Sequence, residues 1–214
     1  MNELLFFSHL TVVLIFMLGA LRLGKGALIT IICLQAALAN LFVMKQIVLF
    51  GLHVTSCDVY TIGAIFGINL LQEYHPDCDV KRVLLSYFGT LVFFPLMAQF
   101  HLYYQPANLA YEQILGSALR IFFASITTSM VTTWLDTRLF ATLKSRYANV
   151  PFALRIASSA LCIQLLDTLL FTFLGLWGSV SHPWELLFFS YLIKVITIIT
   201  MSMMMGSVKR VRYA

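Results

Sequence analysis

The sequence predicts an all-α polytopic membrane protein that forms a single transmembrane domain over residues 1–214. Sixty per cent of the residues are hydrophobic and only 11% are charged, whereas soluble domains carry roughly a quarter charged residues. The mean hydropathy is +0.89. Several apolar runs reach the ~18–20 residues that a helix needs to cross a bilayer, and the linkers between them are too short for a separate soluble domain.

Seven apolar runs predict seven transmembrane helices in succession. The first run is not expected to be a signal peptide, because Met1-Asn2-Glu3 lacks the basic leader of such peptides. Strands are not expected, because no segment alternates apolar and polar residues as the strands of membrane barrels do. The seven runs are 4–21, 27–50, 59–74, 83–104, 114–143, 153–177 and 184–206.

Basic residues follow the first, third, fifth and seventh runs, and this alternation predicts the orientation of the helices. Because positive residues in short loops mark the cytoplasmic side, the N-terminus is expected outside and the C-terminus inside, with Asp58 in an outer loop. These segments use nine of the fourteen basic residues, so the net charge of +5 leaves no basic patch for a nucleic acid. The nine are Arg22, Lys25, Lys81, Arg82, Lys144, Arg146, Lys209, Arg210 and Arg212.

Enzyme motifs and cofactor motifs are missing from the sequence. It contains no H-E-x-x-H, no G-x-S-x-G and no glycine-rich phosphate loop, so neither a catalytic residue nor a cofactor is expected. His75-x-x-Cys78 supplies only two of the usual four zinc ligands, and a loop that ends a helix explains it better than a metal. An aspartic protease needs two carboxylates that share a proton, whereas Asp136 and Asp167 are expected at different depths.

Eight charged residues remain inside the predicted helices. Each costs at least ~2.5–3.5 kcal/mol near the bilayer centre, so such residues are expected to face the bundle interior and to have partners. At about 1.5 Å per residue, Asn40, Asp167 and Lys194 lie near mid-membrane, and Asp167 and Lys194 are expected to be electrostatic neighbours. The eight are Lys45, Glu73, Arg120, Asp136, Arg138, Arg155, Asp167 and Lys194.

Polar residues at helical spacing predict stripes on four helices that would line a cavity. Carboxylates, amides, an ammonium and aromatic rings together suit a small polar heterocycle. The stripes are Asn69 and Glu73; Thr132, Thr133, Asp136 and Phe140; Gln164, Asp167, Thr168 and Phe171; and Tyr191 and Lys194.

Several of these residues have structural alternatives. Asp136 and Arg138 could belong to a helix end at the cytosolic interface, where long side chains reach the headgroups. Asp167 and Lys194 could form a purely structural ion pair. Asn40 and Gln164 could join helices through hydrogen bonds, and Gly63-x-x-x-Gly67 predicts close helix packing rather than ligand contact.

The segments ALANLFVMKQIVLFGL, LLQEY, LDTRLF, QLLDTLLFTF and YLIKV resemble, in order and spacing, the queuosine-precursor transporter family, also called VUT. The resemblance implies a multi-pass protein of the bacterial inner membrane. It would import 7-deazaguanine bases such as queuine, preQ0 or preQ1 for tRNA queuosine salvage. It also implies a six-helix core, residues 27–207, similar to the substrate-binding subunits of energy-coupling-factor transporters, with residues 1–25 as a peripheral extra helix and loop.

The resemblance also assigns residues. Asp136 and Asp167 match the family's two aspartate-bearing helices, and a carboxylate can accept both adjacent donors of a deazaguanine. Where this chain has Asn69, members of the family often carry an acid. The cavity thus has one negative charge fewer, which bears on whether the base carries an aminomethyl cation. The substrate-binding candidates are Asn40, Asn69, Glu73, Asp136, Gln164, Asp167 and Lys194, with Lys45, Arg120 and Arg155 as gate or structural charges.

Other functions remain open on the sequence. The chain could be a binding subunit that needs a separate ATPase module, a structural scaffold with paired charges, or an intramembrane hydrolase. The expected partners are a small-molecule base and membrane lipid, without direct nucleic-acid binding. The oligomeric state is open, a homodimer being one alternative.

Overall fold

A computed structural model describes residues 1–42, 45–55, 57–104, 119–177 and 183–206 of the chain. Within these residues, each predicted run contains one helix, and a short hairpin joins the second and third helices. The helices are α1 (Asn2–Leu23), α2 (Lys25–Phe42), α3 (Asp58–Tyr74), α4 (Val80–Tyr103), α5 (Leu119–Arg146), α6 (Phe152–Phe171, continued by a π-helical turn, Thr172–Leu176) and α7 (Pro183–Gly206); the strands are β1 (Gln46–Leu49) and β2 (Leu52–Thr55).

The predicted helical, polytopic character of the chain is confirmed. Of the helices that the structure describes, α1, α2, α4, α6 with its π turn, and α7 are each long and apolar enough to cross a membrane. Helices α3 and α5 do not meet both of these criteria, each for its own reason. Helix α3 has only 17 residues and lies largely inside the bundle, whereas α5 carries several charged and hydroxyl side chains. The start of the fifth run, at residue 114, lies outside the described residues.

The hairpin corrects two expectations, that the second run is helical as far as Phe50 and that the chain forms no strand. Helix α2 ends at Phe42, and the strands pair antiparallel with Ile47 opposite Val54. Both turn residues, Phe50 and Gly51, have positive φ values of 52° and 80°, the backbone form of a tight two-residue hairpin turn. The sequence hid this alternation because the outward-facing Val48 is as apolar as its buried neighbour Leu49.

The first turn of α1 holds the hairpin in place. The Asn2 side-chain amide donates to the Val48 carbonyl at 2.9 Å, and the Phe50 backbone N–H donates to Glu3 at 3.1 Å. Open strand edges are not tolerated in lipid, because their backbone groups would be unsatisfied. The hairpin therefore marks one end of the bundle. Helix α2 ends before it at Phe42, and helix α3 begins after it at Asp58.

The other end of the bundle collects the basic turns. Lys25, at the start of α2, donates to Asp77 at 2.7 Å, and this hydrogen bond lowers the pKa of the Asp77 carboxyl. Lys144, near the end of α5, lies 3.8 Å from Glu73 near the end of α3. The first three basic turns thus lie at one end of the bundle, opposite the hairpin.

Helix α3 packs closely on α2 through its two glycines. A Cβ placed on Gly63 would lie 2.0 Å from Gln35 Oε1, and one on Gly67 would lie 2.6 Å from Ile32 Cγ1. The interpretation of this motif as helix packing is confirmed. Helix α1, expected to be peripheral, has one exposed face, but it also buries Leu10 and Met17 completely against the same core.

Candidate functional site

Lys194 is the centre of a buried polar group near the middle of α7. Its ammonium donates to Asp167 of α6 at 2.6 Å, and the Thr132 hydroxyl of α5 donates to the other oxygen of the same carboxylate at 3.2 Å. The predicted proximity of Asp167 and Lys194 is confirmed. Both side chains are almost completely buried, too deep to reach lipid headgroups.

Asp58 is a further member of this group that sequence reasoning placed in an outer loop. It is only 6% exposed, and its carboxylate lies 3.7 Å from the Lys194 ammonium. The hairpin is the reason, because it occupies the end of the bundle and lets α3 begin deeper, beside the middle of α7. We call Asp58, Thr132, Asp167 and Lys194 the Lys194 cluster.

Two carboxylates facing one ammonium give the Lys194 cluster an excess of one negative charge when all three are ionised. A buried excess charge is costly unless a cation, a proton or several donors compensate it. Beside the cluster lies an inner cavity of about 40 Å³, lined by Asp58, Asp167 and Lys194 with Thr128 and Phe171. This space holds at most a few water molecules.

Asp136 forms a second buried group that contains no cation. Its carboxylate accepts from the Asn69 amide at 2.8 Å and from the Ser159 hydroxyl, while Gln72 donates to Asn69 at 3.3 Å. None of the salt bridges among the described residues involves Asp136, which is 1% exposed. We call these four residues the Asp136 cluster.

The structure separates Asp136 from Arg138. Arg138 is exposed and stacks over the Trp134 ring at 5.4 Å, so the helix-end interpretation fits it. Asp136 faces the opposite way, into the bundle, where no headgroup is within reach. The sequence could not decide between the two alternatives, because both residues lie near the same helix end.

A third group lies at the basic end of the bundle. Glu73 pairs with Arg155 of α6 at 2.8 Å and with Lys144 of α5 at 3.8 Å, and Arg155 also donates to the Val150 carbonyl. From the sequence, Lys144 was expected only to mark the cytoplasmic side of the membrane. We call Glu73, Lys144 and Arg155 the Glu73 cluster.

The three clusters follow one another along the helices of the bundle, and on three helices neighbouring clusters are one helical turn apart. On α5, Thr132 precedes Asp136 by four residues; on α3, Asn69 precedes Glu73 by four; on α6, Arg155 precedes Ser159 by four. Residues four apart lie on one face of a helix, about 6 Å apart along its axis. Buried polar side chains therefore extend from the middle of the bundle to its basic end.

Gln164 lies on the same face of α6, between Ser159 and Asp167. Its side chain is completely buried, and neither its amide nitrogen nor its oxygen has a hydrogen-bond partner among the described residues. An unmade buried hydrogen bond costs about 1–3 kcal/mol. A polar ligand or a water molecule that bonded to the Gln164 amide would therefore be stabilised.

Asn40 does not join these clusters. Its amide donates to the Leu91 carbonyl of α4 at 3.1 Å. Pro95 lies four residues further along α4 and has no N–H to donate to that carbonyl. Asn40 therefore satisfies a gap in a neighbouring helix, and the alternative in which it joins helices agrees with its geometry.

Replacing Asn40 by leucine is expected to lower stability by about 1–3 kcal/mol, because the Leu91 carbonyl is then buried without a partner. Pro95→Ala restores the missing N–H, so the same Asn40→Leu change should cost much less in that background. Thermal unfolding in detergent measures both effects. Equal costs in the two backgrounds would contradict the explanation.

Two of the candidate gate charges lie at the surface. Arg120 donates to the Leu174 carbonyl at 3.0 Å and to the Trp177 carbonyl at 2.8 Å, which caps the π-helical end of α6. Lys45 is exposed, with its ammonium 5.9 Å from the centre of the Phe42 ring. Neither touches the buried clusters, whereas Arg155 belongs to one of them.

Larger cavities lie at both ends of the bundle. The hairpin cavity, of about 490 Å³, lies under the hairpin and is lined by Lys45, Asp58 and Tyr60 among others. The basic-end cavity, of about 500 Å³, is lined by Glu73 and Arg155. Each cavity thus contacts one of the buried clusters.

Comparison with known proteins gives this arrangement a context. Residues 55–208 match the family described as "Putative vitamin uptake transporter". The chain belongs to this family. This transporter is also 29% identical over 196 residues to a Bacillus subtilis (strain 168) protein named "Probable queuosine precursor transporter", an alignment that covers 87% of the chain and 83% of the relative. No solved structure matches the chain.

The family resemblance drawn from the sequence is therefore confirmed, and the chain is a multi-pass membrane protein of a transporter family. The matched residues run from the last residue of β2 to the end of α7 and include all three polar clusters. Helices α1 and α2 lie before the matched segment.

Proposed function

We propose that this transporter imports a 7-deazaguanine base, a precursor of queuosine, across the bacterial inner membrane. One structural observation supports the proposal more than any other: a series of buried polar clusters reaches from a cavity at the hairpin end to a cavity at the basic end. An inert membrane bundle has little reason to bury three acidic sites in succession, since each is costly in lipid.

The chemistry of the Lys194 cluster suits such a base. A deazaguanine presents N–H and NH₂ donors side by side, which the two oxygens of Asp167 or Asp58 can accept. Its carbonyl can accept from the Lys194 ammonium or from Gln164. The excess negative charge of the cluster also favours a ligand that is neutral with several donors or that carries one positive charge.

We propose that recognition involves Asp167 and Lys194 first, then Gln164, Asp136 and Asn69. Glu73 and Arg155 are assigned to the inner gate, because their charges neutralise one another beside the basic-end cavity. Asn40 and Arg120 are assigned to helix packing and capping. The series places the recognition groups in the interior, where water competes least for hydrogen bonds.

We further propose seven membrane-crossing helices, with the hairpin outside and the basic turns inside. A cysteine at Phe50, in the hairpin turn, should react with an impermeant thiol reagent added to intact cells, whereas one at Ser145 should react only after permeabilisation. The background lacks Cys33, Cys57, Cys78 and Cys162. The reverse labelling pattern would overturn the orientation, because both positions are exposed.

Uptake by cells that cannot make queuosine precursors tests the function directly. With queuine, preQ0 or preQ1 supplied singly, expression of the chain alone should raise both internal base and tRNA queuosine at low external concentration. Guanine should compete poorly if the site senses the carbon that replaces N7. Uptake only with an added ATPase module would favour a binding subunit, and no uptake of any base would favour the scaffold.

A further inference from the structure

The hairpin cavity has the volume of a ligand site, and the inner cavity does not. Small-molecule pockets measure about 300–1,000 Å³, and the hairpin cavity, at about 490 Å³, falls within that range. The inner cavity beside Lys194 measures about 40 Å³, which is less than a bicyclic base needs. In this conformation a ligand can therefore occupy the space under the hairpin but not the Lys194 cluster itself.

Aromatic side chains form one wall of the hairpin cavity. The rings of Phe42 and Tyr60 lie nearly parallel, 5.9 Å apart with an interplanar angle of 19°, and the His9 ring meets Tyr60 edge-on at 4.7 Å. All three residues line the cavity. Flat rings presented in this way offer a stacking surface for a planar heterocycle, since aromatic pairs prefer offset-stacked or edge-to-face contacts.

Asp58 connects the hairpin cavity with the inner cavity, because it lines both. One of its carboxylate oxygens lies near Lys194; the other, Oδ2, is buried and has no hydrogen-bond partner among the described residues. A buried carboxylate oxygen without a donor is costly. A ligand with N–H donors under the hairpin would satisfy it.

We propose that the hairpin cavity is an outer binding site in which a planar, N–H-bearing heterocycle stacks on Tyr60 and Phe42 and donates to Asp58. The ligand then passes to the Lys194 cluster when the helices separate. Lys45 supplies a cation at the rim that can donate to a ring carbonyl. This inference rests on the proposed function for the identity of the base, but it concerns a site beyond the buried clusters.

Helix α1 becomes part of the transport machinery in this arrangement. It contributes Asn2, Leu5, Phe6 and His9 to the cavity lining, and its first turn anchors the hairpin through two hydrogen bonds. The helix that sequence reasoning set apart as peripheral is thus expected to influence affinity. Its contribution lies at the outer site, whereas the Lys194 cluster belongs to α3, α5, α6 and α7.

Binding of preQ0 to the purified full-length chain in lipid nanodiscs tests the outer site. Tyr60→Leu and Phe42→Leu should each weaken binding about two- to tenfold, the range expected for loss of an aromatic contact. Phe93→Leu is the matched control, because Phe93 is exposed on α4 and does not line the cavity.

Two substitutions at neighbouring exposed positions test the cavity without disturbing the folded core. Leu5 lines the cavity and is 60% exposed, whereas its neighbour Leu4 is 74% exposed and does not line it. Leu5→Trp should reduce preQ0 binding and uptake severalfold, and Leu4→Trp should leave both unchanged.

The outcomes separate the two proposals. If the wild-type chain neither binds nor imports a base, the proposed function fails. If the wild type imports preQ0 but Leu5→Trp and Tyr60→Leu match their controls, the outer site is overturned and the proposed function stands.

Discussion

Replacing Lys194 by methionine is expected to destabilise the protein by about 3–5 kcal/mol, because it leaves two buried carboxylates facing each other without a cation. Asp167→Asn should cost clearly less. After that change Lys194 still has Asp58 as an acidic neighbour, at 3.7 Å, so no charge is left unpaired. A simple Asp167–Lys194 pair would instead give similar costs for the two changes, since each would leave one charge alone.

Thermal unfolding of the purified variants measures this asymmetry. The triple variant Asp58→Asn, Asp167→Asn, Lys194→Met removes every charge from the cluster and should recover most of the stability that Lys194→Met loses. Recovered stability without recovered uptake would show that the charges serve transport and not folding. If Lys194→Met and Asp167→Asn are equally stable, Asp58 does not share the ammonium and the three-membered cluster is wrong.

The second large effect concerns uptake by single carboxylate-to-amide variants. Asp167→Asn and Asp136→Asn should each reduce uptake about fivefold to a hundredfold, because an amide offers the ligand's donors one acceptor oxygen fewer and adds an opposing N–H. Both variants should still reach the membrane. At Asp136 the neighbouring Asn69 amide can flip and the Ser159 hydroxyl can rotate, so the hydrogen bonds can rearrange around the new amide.

Glu73→Gln is the comparison within that series. Glu73 pairs with both Arg155 and Lys144, so its loss leaves two cations beside the basic-end cavity without this acidic partner and should affect stability as well as uptake. Radiolabelled preQ0 uptake, normalised to the amount of protein in the membrane, measures all three. Normal uptake by Asp167→Asn and Asp136→Asn would show that these aspartates do not recognise the ligand and have a structural role.

The sequence by itself determined the class of protein, the order of the helices and much of the inventory of buried charges. Length and hydropathy suffice for this, because lipid admits essentially one solution for a long apolar segment, a helix with all its backbone groups satisfied. The same reasoning predicted the pairing of Asp167 with Lys194, since two opposite charges at similar depth in hydrocarbon have few other partners.

The tertiary structure decided what depth and periodicity leave undetermined. Asp58 resembles a loop residue in the sequence, yet the hairpin lets α3 start inside the bundle and brings its carboxylate to Lys194. Asn40 resembles a ligand contact, yet it donates to a carbonyl freed by Pro95 on another helix. Partners such as Ser159 and Lys144 come from distant segments and have no local signal. Helical spacing shows which face a residue occupies; only the packing of the helices shows which faces meet.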